Sequence, residues 1–411
     1  MTEDQRSGLS FCQFALLFRF LAAYEALVSC PLLAIACLGV LSGVLGCFGS
    51  DIRERRQDVQ YTATSWRQTP LRLGPVVTKI FPVDDASPKH PSRMFRHRET
   101  GPTSVSDCCH LLRRYAAGQV SDFGALPESQ LRLALLDDHY GRALFGESVL
   151  QPTRFGVRYR HDEQFSGIGE SHRDLCLATF AELGLKLSTQ LQTDEGRFSI
   201  EQLLQESTAR FDIKQDEICW TSVAYCLYLP PSKTWRNRFE ERFSFDILAR
   251  ELIGRELVSF SCGGAHMLYA LTLLLRVDQL TPILSMSTRE RVVDRLVSKI
   301  REITDAQSES GEWSPLWLDA EFQQIESRWL PSERLLARLV LTGHYLEWMT
   351  YLPYDLQPDT GVYRAAFDWL CVVGADAHFE RDAVCPQTHA WLAINTLSRV
   401  SSADDDAVGA K

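Results

Sequence analysis

Helical segments that begin with histidine recur between residues 105 and 400, and this recurrence constrains the fold more than any other feature of the chain. The histidines are His172, His266, His344 and His389. Their separations are 94, 78 and 45 residues. These values fit a repeat of about 40–47 residues, a length that suits a helical hairpin, if two of the repeat units lack the histidine. The segments that follow are apolar on nearly all sides, which is typical of helices buried on all sides. Amphipathic helices alternate with them, so the pattern predicts an inner ring of helices enclosed by an outer one.

A second repeated element lies between the helices. Gln192–Phe198, Gln307–Trp313 and Gln357–Tyr363 share the pattern Gln-x3-Gly-x-aromatic. We expect the glycine to permit a left-handed turn, the aromatic ring to fill the groove between helices, and the glutamine amide to bind free backbone groups.

This pattern resembles the QW repeat of squalene and terpenoid cyclases and of the related protein prenyltransferase subunits. The resemblance covers roughly residues 105–400 and implies an all-α fold, an (α/α)6 toroid of helical hairpins around a central cavity. It does not extend to the catalytic acids, because neither DxDD nor DDxxD occurs in this range, and Asp137-Asp138-His139 lacks the third acid. The resemblance therefore implies an architecture and leaves the activity open.

The N-terminal region contains a long apolar segment, residues 26–50, without a charged residue. As a helix it would extend about 37 Å, enough to cross a hydrocarbon core of about 30 Å. After an N-terminal segment, 1–25, the sequence thus predicts one transmembrane or signal-anchor helix and a single-pass, membrane-anchored protein. The side of the membrane stays open: Val44-Leu-Gly-Cys47 resembles a bacterial lipobox, which would export the main domain, whereas Arg53 and the arginines after it would keep it inside.

The rest of the chain divides by composition. Residues 51–104 form a Pro-rich linker, residues 105–400 the helical domain, and residues 401–411 an acidic tail that we expect to be disordered. The formal net charge of −10 argues against a nucleic-acid partner, which would require a basic face.

Candidate catalytic residues follow from the predicted ring. Inner helices of a toroid run in one direction, so their N-termini meet at one mouth of the cavity, where the helix dipole favours neutral imidazole. Glu347 lies one turn after His344 among aromatic residues, where a buried acid needs a partner or a raised pKa. The candidates are His172, His266, His344, His389 and Glu347. The alternative is that each histidine only packs at its own helix start.

Two of the histidines belong to Cys-x3-His pairs, Cys262 with His266 and Cys385 with His389. This spacing places thiolate and imidazole on one helical face, and two such pairs would complete a tetrahedral zinc site. The protein prenyltransferases also use zinc, held by Asp, Cys and His, but their Asp-x-Cys arrangement is not visible here. The sequence predicts no cofactor, with zinc at these four residues as the alternative.

Two classes of function remain open at this point. The lack of a recognised catalytic motif favours a membrane-tethered binding or scaffold protein whose cavity ligand is unidentified. The alternative is an enzyme that uses the histidines and Glu347 on a polyisoprenoid or glycan substrate.

Overall fold

The computed structural model describes residues 63–77, 102–118, 126–161, 167–259, 262–318, 329–376 and 384–399. The predicted segments 1–25, 26–50 and 401–411, and most of the linker 51–104, lie outside these ranges. Within them the chain is mostly helical, as predicted. The helices are α1 Val105–Ala116, α2 Glu128–Leu136, α3 Asp138–Phe145, α4 Leu175–Glu182, α5 Ile200–Arg210, α6 Cys219–Tyr228, α7 Phe245–Gly254, α8 Ala265–Leu280, α9 Met286–Asp305, α10 Pro331–Tyr351, α11 Thr360–Asp376 and α12 Val384–Arg399. Short 3₁₀ turns cover Leu257–Ser259, Cys262–Gly264, Pro315–Trp317 and Tyr354–Leu356.

Three short β-hairpins accompany the helices, and the all-α prediction did not include them. Their strands are β1 Leu150–Thr153, β2 Gly156–Tyr159, β3 Gln190–Thr193, β4 Gly196–Ser199, β5 Thr234–Arg236 and β6 Arg242–Ser244. The antiparallel pairs are β1 with β2, β3 with β4, and β5 with β6, and Thr153 and Thr193 lie opposite Gly156 and Gly196 in their hairpins.

The prediction of a single-pass membrane anchor requires correction. No helix in the described part of the chain is long and apolar enough to cross a bilayer. The helices α9 and α10 have sufficient length, 20 and 21 residues, but both carry several charged side chains, whereas a spanning helix needs about 20 mostly apolar residues. The anchor therefore has no support in the structure and is withdrawn, and segment 26–50, on which it rested, lies outside the described residues.

Six helices contact one another in a closed cycle. In this cycle α1 packs against α4, α4 against α6, α6 against α8, α8 against α10, α10 against α12, and α12 again against α1. Five of the remaining described helices pack on this group: α2 on α1, α5 on α4, α7 and α9 on α8, and α11 on both α10 and α12. The sixth, α3, packs on α2. Burial follows the same division. Every residue of α8 from Ala265 to Leu275 is buried, whereas α9 buries only one face, through residues such as Val292, Leu296 and Ile303.

Helices α10 and α12 pack closely where they cross. A Cβ atom on Gly343 would lie 2.7 Å from the backbone nitrogen of Ala390, too close for any side chain. Glycine and alanine at this crossing let the two helices pack backbone to backbone. The next residue on α10, His344, is thereby brought against α12.

The three Gln-x3-Gly-x-aromatic loops differ in backbone conformation but share their glutamine contacts. Gly196 and Gly311 have positive φ, 140° and 101°, as predicted, whereas Gly361 lies inside α11, so the predicted turn is wrong for the third copy. The glutamine amide donates to backbone carbonyls in all three loops, as predicted.

Candidate functional site

The four predicted histidines lie together at the centre of the helical cycle. The ring centroids of His172 and His266 are 4.8 Å apart, those of His266 and His344 5.3 Å, and those of His344 and His389 3.6 Å. All four side chains are buried. The sequence repeats thus bring these residues to one place, although they are far apart in the chain.

Their positions along the helices differ from the prediction. Only His266 lies at a helix start, as the second residue of α8, whereas His172 precedes α4 by three residues and His344 and His389 lie inside α10 and α12. Helix dipoles therefore do not account for the protonation of the four histidines as a group. Burial is the larger influence: it lowers the pKa of His344 to about 4, and burial and the neighbouring imidazoles hold the pKa of His266 well below its usual range.

A fifth histidine joins the cluster and was missed in the sequence. His110 of α1 lies with its ring centroid 5.4 Å from that of His389. It does not follow the spacing of the other four, so periodicity alone did not indicate it. Its position in the first helix of the cycle, next to Cys108-Cys109, is the one signal that marked it.

Both Cys-x3-His pairs point into this cluster, but by different backbone routes. Cys385 and His389 lie on one face of α12, as the spacing predicted. Cys262 precedes α8 in a turn in which Cys262, Gly263 and Gly264 all have positive φ, 54°, 63° and 78°. Left-handed backbone is rare for a residue with a side chain and is often found at functional sites. This turn keeps Cys262 within 4.8 Å of His266 without a helical register.

The potential ligand atoms form overlapping sets in which all members lie within 4.8 Å of one another. The sets are His110, Cys385 and His389; His172, Cys262 and His266; Cys262, His344 and Cys385; and His266, His344 and His389. The four residues predicted as a zinc site are thus linked through close pairs. His344, which was not predicted as a ligand, lies within this distance of all four.

Hydrogen bonds fix the orientation of several rings. Nδ1 of His344 lies 2.7 Å from the carbonyl oxygen of Val340, and Nδ1 of His110 lies 2.7 Å from that of Ser106. A carbonyl only accepts, so Nδ1 carries a proton in both rings and Nε2 is the nitrogen left to bind an ion. Nε2 of His344 is 3.6 Å from Sγ of Cys385. In His266, neither ring nitrogen has a hydrogen-bond partner among the described residues.

Glu347 has the partner that its burial requires. One carboxylate oxygen accepts a hydrogen bond from Arg113 at 2.9 Å, and the other binds Nδ1 of His389. Arg113 also binds Glu182, at 3.0 Å, and Tyr269 donates to Glu182. Although burial raises the pKa of Glu347, Arg113 and His389 more than offset this and lower it to about 2. Burial likewise lowers the pKa of His389, but the Glu347 carboxylate raises it to about 9.

The thiol of Cys385 is also adapted to carry negative charge. A hydrogen bond from Cys262 and the proximity of His110 and His344 lower its pKa well below the usual range despite burial. Thiolate is the form of cysteine that binds metals.

The cavity beside these residues is small. Arg113, Trp220, His266, Glu347 and Trp348 are among the residues that enclose it, and its volume is about 10 Å³. This is about the space that one water molecule needs, whereas pockets for small organic ligands measure about 300–1,000 Å³. The site suits an ion better than an organic substrate.

The donor types in the cluster fit a transition-metal ion. Imidazole and thiolate are the preferred ligands of zinc, and His266 presents buried nitrogens that an ion would satisfy. In metal sites, a histidine ligand usually donates its second ring N–H to a carboxylate or a backbone carbonyl. His389 makes such a contact with Glu347, and His344 and His110 make it with carbonyls.

In comparisons with known proteins, the chain matches no protein-family model, no curated protein and no solved structure.

Proposed function

We propose that the protein is an (α/α)6 toroid that binds a transition-metal ion, preferably zinc, at its centre and serves as a binding or scaffold protein. One observation carries the metal proposal: two Cys-x3-His pairs, one before and within α8 and one in α12, meet in one buried cluster. The toroid assignment is supported by the closed cycle of six helices and by the Gln-x3-Gly-x-aromatic loops that resemble those of the cyclases.

The ligand set that we propose is Cys262, His266, Cys385 and His389. These residues supply two thiolates and two imidazoles, a common composition for zinc sites. The ion would join α8 to α12, two helices of the cycle that both pack against α10. Zinc bound in this way supplies positive charge and cross-linking, as closed sites with four protein ligands do.

A scaffold role fits the site better than catalysis on a large substrate. The central cavity of about 10 Å³ has no room for an isoprenoid chain or a sugar ring. Glu347 is held by Arg113 and His389, so its oxygens are engaged by residues of the protein itself. These contacts favour a role for Glu347 in orienting His389.

Metal analysis of the purified full chain tests the proposal. We expect zinc to copurify and chelation to lower the thermal unfolding temperature, because a ligand that binds only the folded state stabilises it by about 2.7 kcal/mol at 100 times its Kd. Cys262→Ser and Cys385→Ser should each reduce the bound metal. Cys226→Ser is the control, since Cys226 is also a free, buried cysteine but belongs to α6 and contacts the Val223 carbonyl. Metal-free protein whose unfolding temperature does not change with zinc or chelator would refute the proposal.

A further inference from the structure

More metal-ligating side chains meet at the centre of the cycle than one ion would use. They are His110, His172, Cys262, His266, His344, Cys385 and His389. Structural zinc is almost always four-coordinate, so a single ion would leave three buried donors around it. Resting on the metal centre proposed above, we propose that the cluster binds two transition-metal ions in place of one and that the four ligands named there are divided between them. Each ion is then held by one Cys-x3-His pair and one further histidine.

The donors divide into two triads of the same composition. The first consists of Cys262, His266 and His172, and their ligand atoms all lie within 4.8 Å of one another. The second triad consists of Cys385, His389 and His110, and its ligand atoms also lie within 4.8 Å of one another. The triads share no residue, and each takes its second histidine from a segment distant in the chain. Two equivalent half-sites are the simplest account of this division.

The seventh donor lies between the triads. His344 is within 4.8 Å of Cys262 and His266 from the first triad and of Cys385 and His389 from the second. Its Nε2 is the nitrogen directed at the ligand atoms, 3.6 Å from Sγ of Cys385, because Nδ1 is bound to the Val340 carbonyl. His344 is therefore placed to serve as a further ligand to either ion. The two ions would be close neighbours, as in two-metal sites where the separation is about 3.5–4 Å.

The buried charges around the cluster also suit two ions. Metal binding requires thiolate cysteines and neutral histidines, so Cys262 and Cys385 would carry two negative charges in the loaded site. Three carboxylates in contact with the cluster or with Arg113 add three: Glu182, Glu217 and Glu347. Arg113 contributes one positive charge, which leaves a formal charge of minus four. Two divalent ions balance that charge, whereas one ion leaves half of it uncompensated in a buried region, where unpaired charge is costly.

The number of ions per chain tests the inference directly. The full chain is freed of metal, titrated with Co²⁺ and then with Zn²⁺, and the bound metal is measured after gel filtration. We expect saturation at about two ions per chain and thiolate-to-cobalt absorption from both half-sites. His110→Ala and His172→Ala each remove a donor from one triad only, and each should reduce saturation to about one ion. His139→Ala, which changes an exposed histidine of α3, should leave it at about two.

The outcomes separate the two proposals. Saturation of the wild-type chain at one ion overturns the two-ion inference and leaves the metal centre standing. No bound ion overturns both. This readout comes from the wild-type protein, so it does not depend on whether a variant folds.

Discussion

Glu347→Gln is the most informative single change to the centre of this protein. Glutamine keeps the size of the side chain but removes the negative charge between Arg113 and His389. Glu347 and Arg113 are only 4% and 8% exposed, so solvent cannot compensate for the loss. Removing one partner of a buried ion pair typically costs about 3–5 kcal/mol.

The pKa values give a second estimate of the same interaction. The pKa of Glu347 is lowered from 4.5 to about 2, and at about 1.4 kcal/mol per unit this corresponds to roughly 3 kcal/mol. The pKa of His389 is raised from 6.5 to about 9, which is largely the same contact seen from the imidazole, so the two values are not added. Because Arg113 keeps Glu182 as a partner, we expect a loss near 3 kcal/mol.

Urea unfolding of metal-free wild-type and variant protein at pH 6 measures this loss. Glu206→Gln is the matched control: Glu206 is also buried, but its partner Arg210 is 44% exposed, and we expect a loss of about 1 kcal/mol or less. A Glu347→Gln loss no larger than that of the control would refute the assignment of a stabilising buried network.

The pH dependence gives an independent check on the same pair. The folded pKa of His389 lies above its unfolded value, so its stabilisation is fully present below pH 6.5 and is lost as the pH rises through about 9. The folded pKa of Glu347 lies below its unfolded value, so its stabilisation is present above pH 4.5 and is lost as the pH falls through about 2. The variant should show neither loss.

Two further predictions concern residues outside this pair. Burial and Asp174 raise the pKa of Glu170 to about 8, so the contribution of Glu170 to the free energy of unfolding falls as the pH rises from 4.5 to 8. The free energy of unfolding in urea is measured at pH 5 and at pH 9 for the wild type and for Glu170→Gln. The difference between the two pH values should be smaller in the variant by on the order of a few kcal/mol, and an unchanged difference would contradict the raised pKa. Gly343→Ala places a methyl group 2.7 Å from the Ala390 backbone. The substitution should lower the free energy of unfolding by about 1–3 kcal/mol and weaken metal binding, because it separates His344 from His389. In the control Gly254→Ala, the methyl group meets nothing within 4 Å, so metal binding should be unchanged.

The sequence predicted that the chain is mostly helical and that the four histidines lie together, but it predicted the backbone conformation around those histidines less well. Helical spacing placed Cys385 beside His389 correctly, because both lie in α12. The same spacing misjudged Cys262, which lies in a left-handed turn before its helix. Gly263 and Gly264 allow the left-handed backbone of that turn. Hydrophobic periodicity does not indicate such a backbone conformation.

Long-range partners were beyond sequence reasoning. Glu347 was recognised as a buried acid in need of a partner, yet Arg113, which supplies it, lies 234 residues earlier in the chain. The β-hairpins were missed for a different reason. Their strands have only three or four residues, too few for a period of two to stand out against neighbouring helices.

The closed cycle of helices has a consequence for how the chain folds during synthesis. The contact that closes the cycle joins α1, the first described helix, to α12, the last, and Asn395 donates to the Ala117 carbonyl across 278 residues. A nascent chain therefore keeps the faces of α1 and α10 that contact α12 uncovered until α12 leaves the ribosome, and such exposed apolar surface is prone to aggregation. The two ends of the cycle are neighbours in space, an arrangement that favours circular permutation. A permuted chain that begins in an outer loop would place α12 ahead of α1 in the sequence, so that the closing contact could form early.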